Sequence, residues 1–296
     1  MRVLLIALSI SVFAVVDAAE RKLHTERSLY RNISVIQDHY LRCMVFETRK
    51  ENPPYQTCVD QRNKKKLVFN YTKLTLSGLL AQPNASNILV LGLGGGTLPM
   101  TLSQLLPNAT ITSVEIDPVV VKLAKEYFDY VESDKIITKT QDARLFVKRA
   151  VIKQQTFDWI ILDAFNGDYI PEHLMTEEFL QEVKSILSEN GVVTANTFST
   201  SKLYDHESTT YQKVFGDFYN VKRRGSGNRI ILASNSSRLL SMERIEASAE
   251  KLNTLLKSYD VNTSWLLNRF SQRIDWDINA RTLTDQYSPA NLLKYK

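Results

Sequence analysis

Three acids and a run of glycines are spaced as a nucleoside site and its reacting end would require. Leu89-Val90-Leu91-Gly92-Leu93-Gly94-Gly95-Gly96 leaves an apolar run and enters a helical pattern. Glycines at such a turn let the backbone bend sharply and approach a ligand, and the helix start offers free N–H groups. Glu115 follows Gly96 by 19 residues, near the ~20 at which an acid grips ribose hydroxyls. Its alternative reading is a carboxylate serving the start of the next helix. Asp142, in Gln141-Asp142-Ala143-Arg144, is placed either to accept from an adenine amino group or to cap a helix. Asp163 follows the apolar run Trp159-Ile160-Ile161-Leu162, so a charge there needs a reason. A general base or an amine anchor facing the reacting end of a bound cofactor would supply one.

The elements that must position these residues alternate. Strands are expected at 88–93, 110–116, 135–140, 157–164 and 191–198, and helices at 97–106, 118–130, 143–153 and 176–189. Pro118 suits a helix start and Gly191 a helix stop. Such alternation predicts an α/β fold, a doubly wound and mostly parallel sheet that binds ligands at the carboxyl ends of its strands. A further strand is expected at 229–233 and an amphipathic helix at 242–259. Ahead of this block, short alternating runs at 33–36 and 43–46 predict β-strands, broken by Asn52-Pro53-Pro54. Leu67 to Leu80 has apolar residues at helical spacing and reads as one linking helix. The expected division is a leader at 1–18, a small β-domain at 19–66, the linking segment at 67–86 and the cofactor-binding block with a helical extension at 87–296.

The leader has the grammar of a secretory signal: Arg2, an uncharged apolar run from Val3 to Val16, then Val16-Asp17-Ala18 before a cleavage site. That run is too short to span a bilayer, so a secreted chain with no membrane attachment after cleavage is expected. Cys43 and Cys58 are the only cysteines, and an oxidising compartment would let them close a loop. Six N-glycosylation sequons start at Asn32, Asn70, Asn84, Asn108, Asn235 and Asn262. Hydrophobic residues at 44% and charged residues at 23% exclude extended disorder and fibrous folds. The net charge of +5 is spread along the chain. Its densest runs, Lys64-Lys65-Lys66 and Lys222-Arg223-Arg224, read as solvated faces, so nucleic acid is not an expected partner.

From about Glu26 to Leu293 the chain resembles the spermidine/spermine synthase family, particularly its divergent members. The resemblance rests on Ser28-Leu29-Tyr30, Leu89–Gly96, Val114-Glu115-Ile116-Asp117, Gln141-Asp142-Ala143-Arg144, Phe157–Asp163 and the late Leu283–Pro289 segment. It implies a small amino-terminal β-domain joined to a class I methyltransferase-type Rossmann domain. It further implies a glycine loop of Gly92, Gly94, Gly95 and Gly96 at the cofactor, with Glu115 on ribose, Asp142 and Ala143 on adenine, and Asp163 as catalytic base. The cofactor would be S-adenosylmethionine or its decarboxylated form. No metal ligand set is implied, and family members are often homodimers, although no self-complementary patch is legible here.

The chain departs from the synthases where the amine should bind. Thr97 replaces the Asp of their GGGDG, and Tyr71-Thr72-Lys73 replaces Tyr-x-Glu. Asn166 replaces the second Asp of DSSDP, with Asp168 nearby, and Arg31 replaces a Gln. Fewer anions and two added cations favour S-adenosylmethionine-dependent methyl transfer, with Lys73 or Arg31 pairing the methionine carboxylate. The alternative is a polyamine aminopropyltransferase using Asp168 and Glu172 for its amine. A third reading, encouraged by the secretory address, is a binding protein without turnover. An anionic patch at Asp163 would favour the second reading and a cationic one the first.

Overall fold

After Asn87 the expected alternation of apolar runs and helical stretches winds into a single sheet. The computed structural model describes residues 20–47, 54–165, 169–236 and 239–289. The leader at 1–18 lies outside them, as do Asn166 and Asp168. The first strands, β1 (Arg21–Arg27), β2 (Asn32–Asp38), β3 (Leu41–Phe46) and β4 (Tyr55–Asp60), form an antiparallel sheet in that order. Cys43 lies directly across from Cys58 in the β3–β4 ladder, and the two form a disulfide.

Next come α1 (Asn70–Thr75) and α2 (Ser77–Ala81), then β5 (Asn87–Leu91), α3 (Thr97–Leu105), β6 (Thr110–Glu115), α4 (Pro118–Tyr127) and β7 (Ile136–Thr140). They continue through α5 (Ala143–Ile152), β8 (Phe157–Leu162), α6 (Glu177–Ser185), β9 (Leu187–Phe198), α7 (Tyr204–Phe215), β10 (Tyr219–Lys222) and β11 (Asn228–Ser234). The described chain closes with α8 (Met242–Lys257), α9 (Thr263–Leu267) and β12 (Phe270–Ser271). The strand order is β12-β10-β11-β9-β8-β5-β6-β7. Pairings from β7 across to β9 are parallel, and β11, β10 and β12 add antiparallel ones. The order reverses at β5, which opens a crevice beyond the carboxyl ends of β5, β6 and β8.

Both faces of the sheet are covered, as a parallel sheet requires. Ile88, Val90, Trp159 and Ile161 pack with α2, α3 and α8 on one face. Leu89, Leu91, Val114 and Ile160 pack with α5, α6 and α7 on the other. The small sheet is fastened to this body by Ile33, Val35, Met44 and Phe46, which bury against Val120, Leu123 and Phe128 at α4. It therefore stands over the mouth of the crevice. Among the described residues no helix is long and apolar enough to cross a membrane.

Three local expectations are corrected. The single linking helix is two, broken at Leu76, because Thr72 and Thr75 hydroxyls donate back to the carbonyls of Phe69 and Tyr71 and bend the turn. The helix expected to run to Glu189 ends at Ser185, and β9 begins at Leu187 rather than Gly191. Gly191 is a bulge residue and not a helix stop: Leu187 pairs with Phe157, but Val192 already pairs with Trp159. A Cβ there would stand 2.9 Å from the Ser188 carbonyl oxygen and 3.0 Å from that of Phe157. The bulge also engages Asn235, whose amide donates to the carbonyls of Leu187 and Ser188, so that sequon is committed to the fold. Helix α7 and strand β10 had no counterpart in the sequence reading.

Candidate functional site

A cavity of about 1140 Å³ opens at the carboxyl ends of β5, β6 and β8 beneath the small sheet. Gly92, Gly94, Glu115, Asp142, Ala143 and Asp163 all lie on its wall. The crossover rule thus brings together acids that are far apart in sequence.

The glycine loop divides into two roles. Gly92 has a φ of +108°, and a Cβ on it would stand 2.3 Å from the backbone oxygen of Asp163. Only glycine lets the β5 turn lie against the β8 turn there. Gly95 and Gly96, expected at the cofactor, are not among the residues that line the cavity. Their missing side chains make room inside the protein: a Cβ on Gly95 would meet Thr57 at 2.8 Å, and one on Gly96 would meet the Tyr130 ring at 2.4 Å.

Glu115 ends β6 and is held by its own neighbourhood. Its carboxylate accepts from the backbone N–H of Leu93 at 3.2 Å and of Asp117 at 3.0 Å. Burial nevertheless pushes its pKa above the ordinary carboxylate value, with those N–H groups working against the shift. Asp117 caps α4 by accepting from Val119 N. Asp142 caps α5, accepting from Leu145 N at 2.8 Å, and its other oxygen meets His173 Nε2 at 3.0 Å. Both oxygens of Asp142 are therefore engaged within the protein, and the capping reading of that residue is realised on the cavity wall.

Asp163 sits differently. It accepts from the side-chain amide of Asn196 at 2.9 Å, and burial lifts its pKa to about 7 against that bond. Tyr71 of α1 also lies on the wall. Its hydroxyl pKa is raised by burial and further by the charge on Asp163. Phe165 and Phe198 meet edge to face, with centroids 5.2 Å apart, on the same wall. Glu207 closes the floor, bonded to the fully buried Arg229 at 3.1 Å. Burial raises the Glu207 pKa despite that partner.

The two cations read as rewriting the amine site separate. Lys73 is not on the cavity wall but binds Asp260 at 2.6 Å, so it is not placed to pair a cofactor carboxylate. Arg31 is on the wall, with its guanidinium 4.4 Å from the Phe46 ring centre. Burial lowers its pKa, while Asp117, Glu115 and Tyr169 raise it, which places it near the end of β6. Glu115, Asp117, Asp142, Asp163, Glu172 and Glu207 lie on the described wall with Arg31 and His173, so the cavity is lined mainly by acids, of which Glu207 is paired with Arg229. Sequence reading missed Asn196, Asn228, Phe198 and Glu207. Only Asn196 gave a signal, as an amide inside the buried run Val192–Thr197.

Comparison with known proteins places this geometry. The family model described as the spermine/spermidine synthase domain matches residues 69–222, just over half the chain. A curated polyamine aminopropyltransferase of Vibrio vulnificus is 48% identical over 274 residues, covering 92% of this chain and 91% of that protein. The crystal structure of a probable spermidine synthase from Corynebacterium glutamicum superposes with a TM-score of 0.68 at 21% identity, covering 90% of this chain and 97% of that one. Human methyltransferase-like protein 13, crystallised with SAH, has the same fold at a TM-score of 0.57 and 23% identity, covering 76% of this chain and 99% of that one.

Proposed function

Because the chain belongs to the spermine/spermidine synthase family, we propose that it is a polyamine aminopropyltransferase using decarboxylated S-adenosylmethionine. The observation that carries this reading is the acid-lined cavity that holds Asp163, from whose wall Lys73 is absent. A cationic acceptor and a cationic aminopropyl group both suit carboxylates and aromatic faces. This reverses the order set by sequence alone, which put methyl transfer first on the strength of Lys73 and Arg31. The near-full-length relationship to the Vibrio vulnificus aminopropyltransferase supports the same choice.

The residues divide the work. Glu115 is suited to ribose hydroxyls, since two backbone N–H groups fix its carboxylate. Asp142 and Ala143 border the base, and the Gly92–Gly94 turn lets the backbone approach. When bound, the cofactor supplies a carbon activated by a sulfonium. Asp163 takes the proton from the acceptor nitrogen as the new C–N bond forms and the C–S bond breaks, the sulfur leaving as a neutral thioether. A base with a pKa near 7 is half ionised at neutral pH and can accept that proton. Tyr71 and the Phe165–Phe198 pair flank the acceptor.

The test is direct: the purified chain is incubated with decarboxylated S-adenosylmethionine and a series of diamines, and the products are weighed. Equal amounts of aminopropylated amine and methylthioadenosine are expected. A methylated product formed from S-adenosylmethionine, with no aminopropyl transfer, would restore the methyltransferase reading. We carry export behind Ala18 as a separate proposal, supported by the Cys43–Cys58 disulfide. The mass of the mature chain recovered outside the cell, short of its first 18 residues and intact at the disulfide, is the expected result; a chain retained inside with its leader would end it.

A further inference from the structure

Asp163 is held from behind by two asparagines that come from other strands. Parallel β8 sets Leu162 beside Ala195 of β9, so Asp163, just past the end of β8, lies beside Asn196 inside β9. Antiparallel β11 sets Ile230 opposite Asn196 and Asn228 opposite Phe198, which makes Asn228 the diagonal neighbour of Asn196. Asn228 Nδ2 donates to Asn196 Oδ1 at 3.0 Å, and Asn196 Nδ2 donates to Asp163 Oδ1 at 2.9 Å.

Chemistry fixes the direction of this chain of bonds. An ionised carboxylate can only accept, so Asn196 must turn its NH₂ toward Asp163. Its carbonyl then faces Asn228, which must in turn present its own NH₂. Asn196 is buried, so a flipped amide would set two oxygens against each other away from water, at a cost that buried polar groups do not bear cheaply. With Oδ1 engaged, Oδ2 of Asp163 is the oxygen left to meet the acceptor nitrogen.

We propose that Asn228 and Asn196 form a polarised amide relay that sets the orientation and proton affinity of Asp163, which makes both of them positioning residues for the transfer. The inference rests on the aminopropyltransferase reading. The relay stabilises the ionised base and presents Oδ2 to the nitrogen, so that the proton passes to Oδ2 while the C–N bond forms and the C–S bond breaks. The charged and titratable groups that share the cavity with Asp163 are Tyr71 from α1, Glu207 from α7 with its partner Arg229 from β11, and Arg31, Glu115, Asp117, Asp142, Tyr169, Glu172 and His173 on the rest of the wall. The two amides themselves carry no charge, so a shift caused by Asn228→Ala reports on Asp163, whereas Asn228→Asp adds a charge of its own and is read only beside the alanine variant.

Asn228→Asp tests the direction of the relay. A carboxylate at 228 cannot donate, so the Asn196 amide must flip or stand against an anion. The acid limb of kcat/KM is expected to move up by about one pH unit, roughly tenfold in rate on the acid side, with recovery at high pH. Asn228→Ala, which removes the donor without adding charge, should move the limb the same way and less far. Asn196→Ala should lower kcat while leaving the KM for the cofactor near its original value. Limbs that stay in place in both Asn228 variants, or losses equal at every pH, would overturn the relay. The ionisation of Asp163 is followed in parallel by carboxyl carbon NMR, with Asp163→Asn identifying the signal. A wild-type chain inactive on every polyamine would end the functional reading, whereas an Asp163 titration indifferent to Asn228→Asp would end the relay.

Discussion

Around Glu115 and Asp142 the carboxylates are held mainly by backbone N–H groups two or three residues away in sequence or in the adjoining loop, with the His173 side chain on the second oxygen of Asp142. Around Asp163 the holding groups are side chains from distant strands, Asn196 and behind it Asn228, with Tyr71 approaching from α1. The side of the cavity proposed for the nucleoside is thus secured mainly by local backbone geometry that most substitutions elsewhere leave intact. The amine side is secured by sheet register. The side around Asp163 can be retuned through Asn228, which bonds to Asn196 behind the base, and this leaves room to vary the acceptor without changing the residues proposed for the nucleoside.

The sharpest way to separate the two halves is Asp163→Asn. Removal of a general base costs about 10²–10⁴-fold in turnover, while cofactor affinity should stay within about twofold. The wild-type rate should rise as pH climbs through about 7, where Asp163 loses its proton, and the variant should lack that limb. Stability has the opposite sign. The Asp163 pKa is higher in the folded than in the unfolded chain, so the folded state is favoured at low pH and loses that advantage as pH rises toward 7. Asp163→Asn should therefore gain melting temperature over wild type progressively across that interval. Equal melting curves at all pH would mean that the carboxyl is solvated.

Glu115→Gln strikes the other half. Losing a charged acceptor for ribose hydroxyls is expected to weaken nucleoside binding by about 1.5–3 kcal/mol, roughly 10–100-fold, with kcat at saturation little changed. Calorimetric titration decides it. A variant that binds normally but turns over slowly would move Glu115 to the amine side and collapse the comparison.

Gly96→Ala asks whether the last glycine of the loop serves the ligand or the fold. The added Cβ would collide with the Tyr130 ring at 2.4 Å in a backbone conformation with φ of +75°, so a loss of about 1–3 kcal/mol is expected. The melting temperature should fall, while the protein that remains folded binds cofactor as before. A stable variant with weakened binding would return Gly96 to the cofactor site.

These contrasts also explain what could be read from the chain. The parallel sheet was legible because Leu89–Leu91 and Trp159–Leu162 are apolar on both faces, and the glycine turn and Glu115 because they follow those strands at short, fixed spacing. The split at Leu76 depends on Thr72 and Thr75 bonding backward, and the β9 bulge at Gly191 on its contact with Phe157; neither leaves a periodicity signal. The Asn228–Asn196–Asp163 chain depends on three strands meeting in one register, which no local pattern encodes. Charge was misread for the same reason. Lys73 and Arg31 are both cations facing an expected amine site on paper, yet the fold turns one out to Asp260 and seats the other beside Glu115.

That last difference yields the smallest expected effect and a pointed test of cofactor choice. Lys73→Met removes a cation whose partner Asp260 is largely exposed, so it should cost at most about 1 kcal/mol and leave activity within about twofold. Arg31→Gln restores the residue of the synthases on the cavity wall near the end of β6. If either cation holds a methionine carboxylate, its removal must weaken binding of S-adenosylmethionine more than binding of the decarboxylated form. The cavity geometry allows that only for Arg31. A selective loss with Lys73→Met would mean that Lys73 leaves Asp260 to reach the ligand; a selective loss with Arg31→Gln would locate the discrimination between the two cofactors in the β1–β2 turn of the small sheet, far in sequence from Glu115 and Asp142.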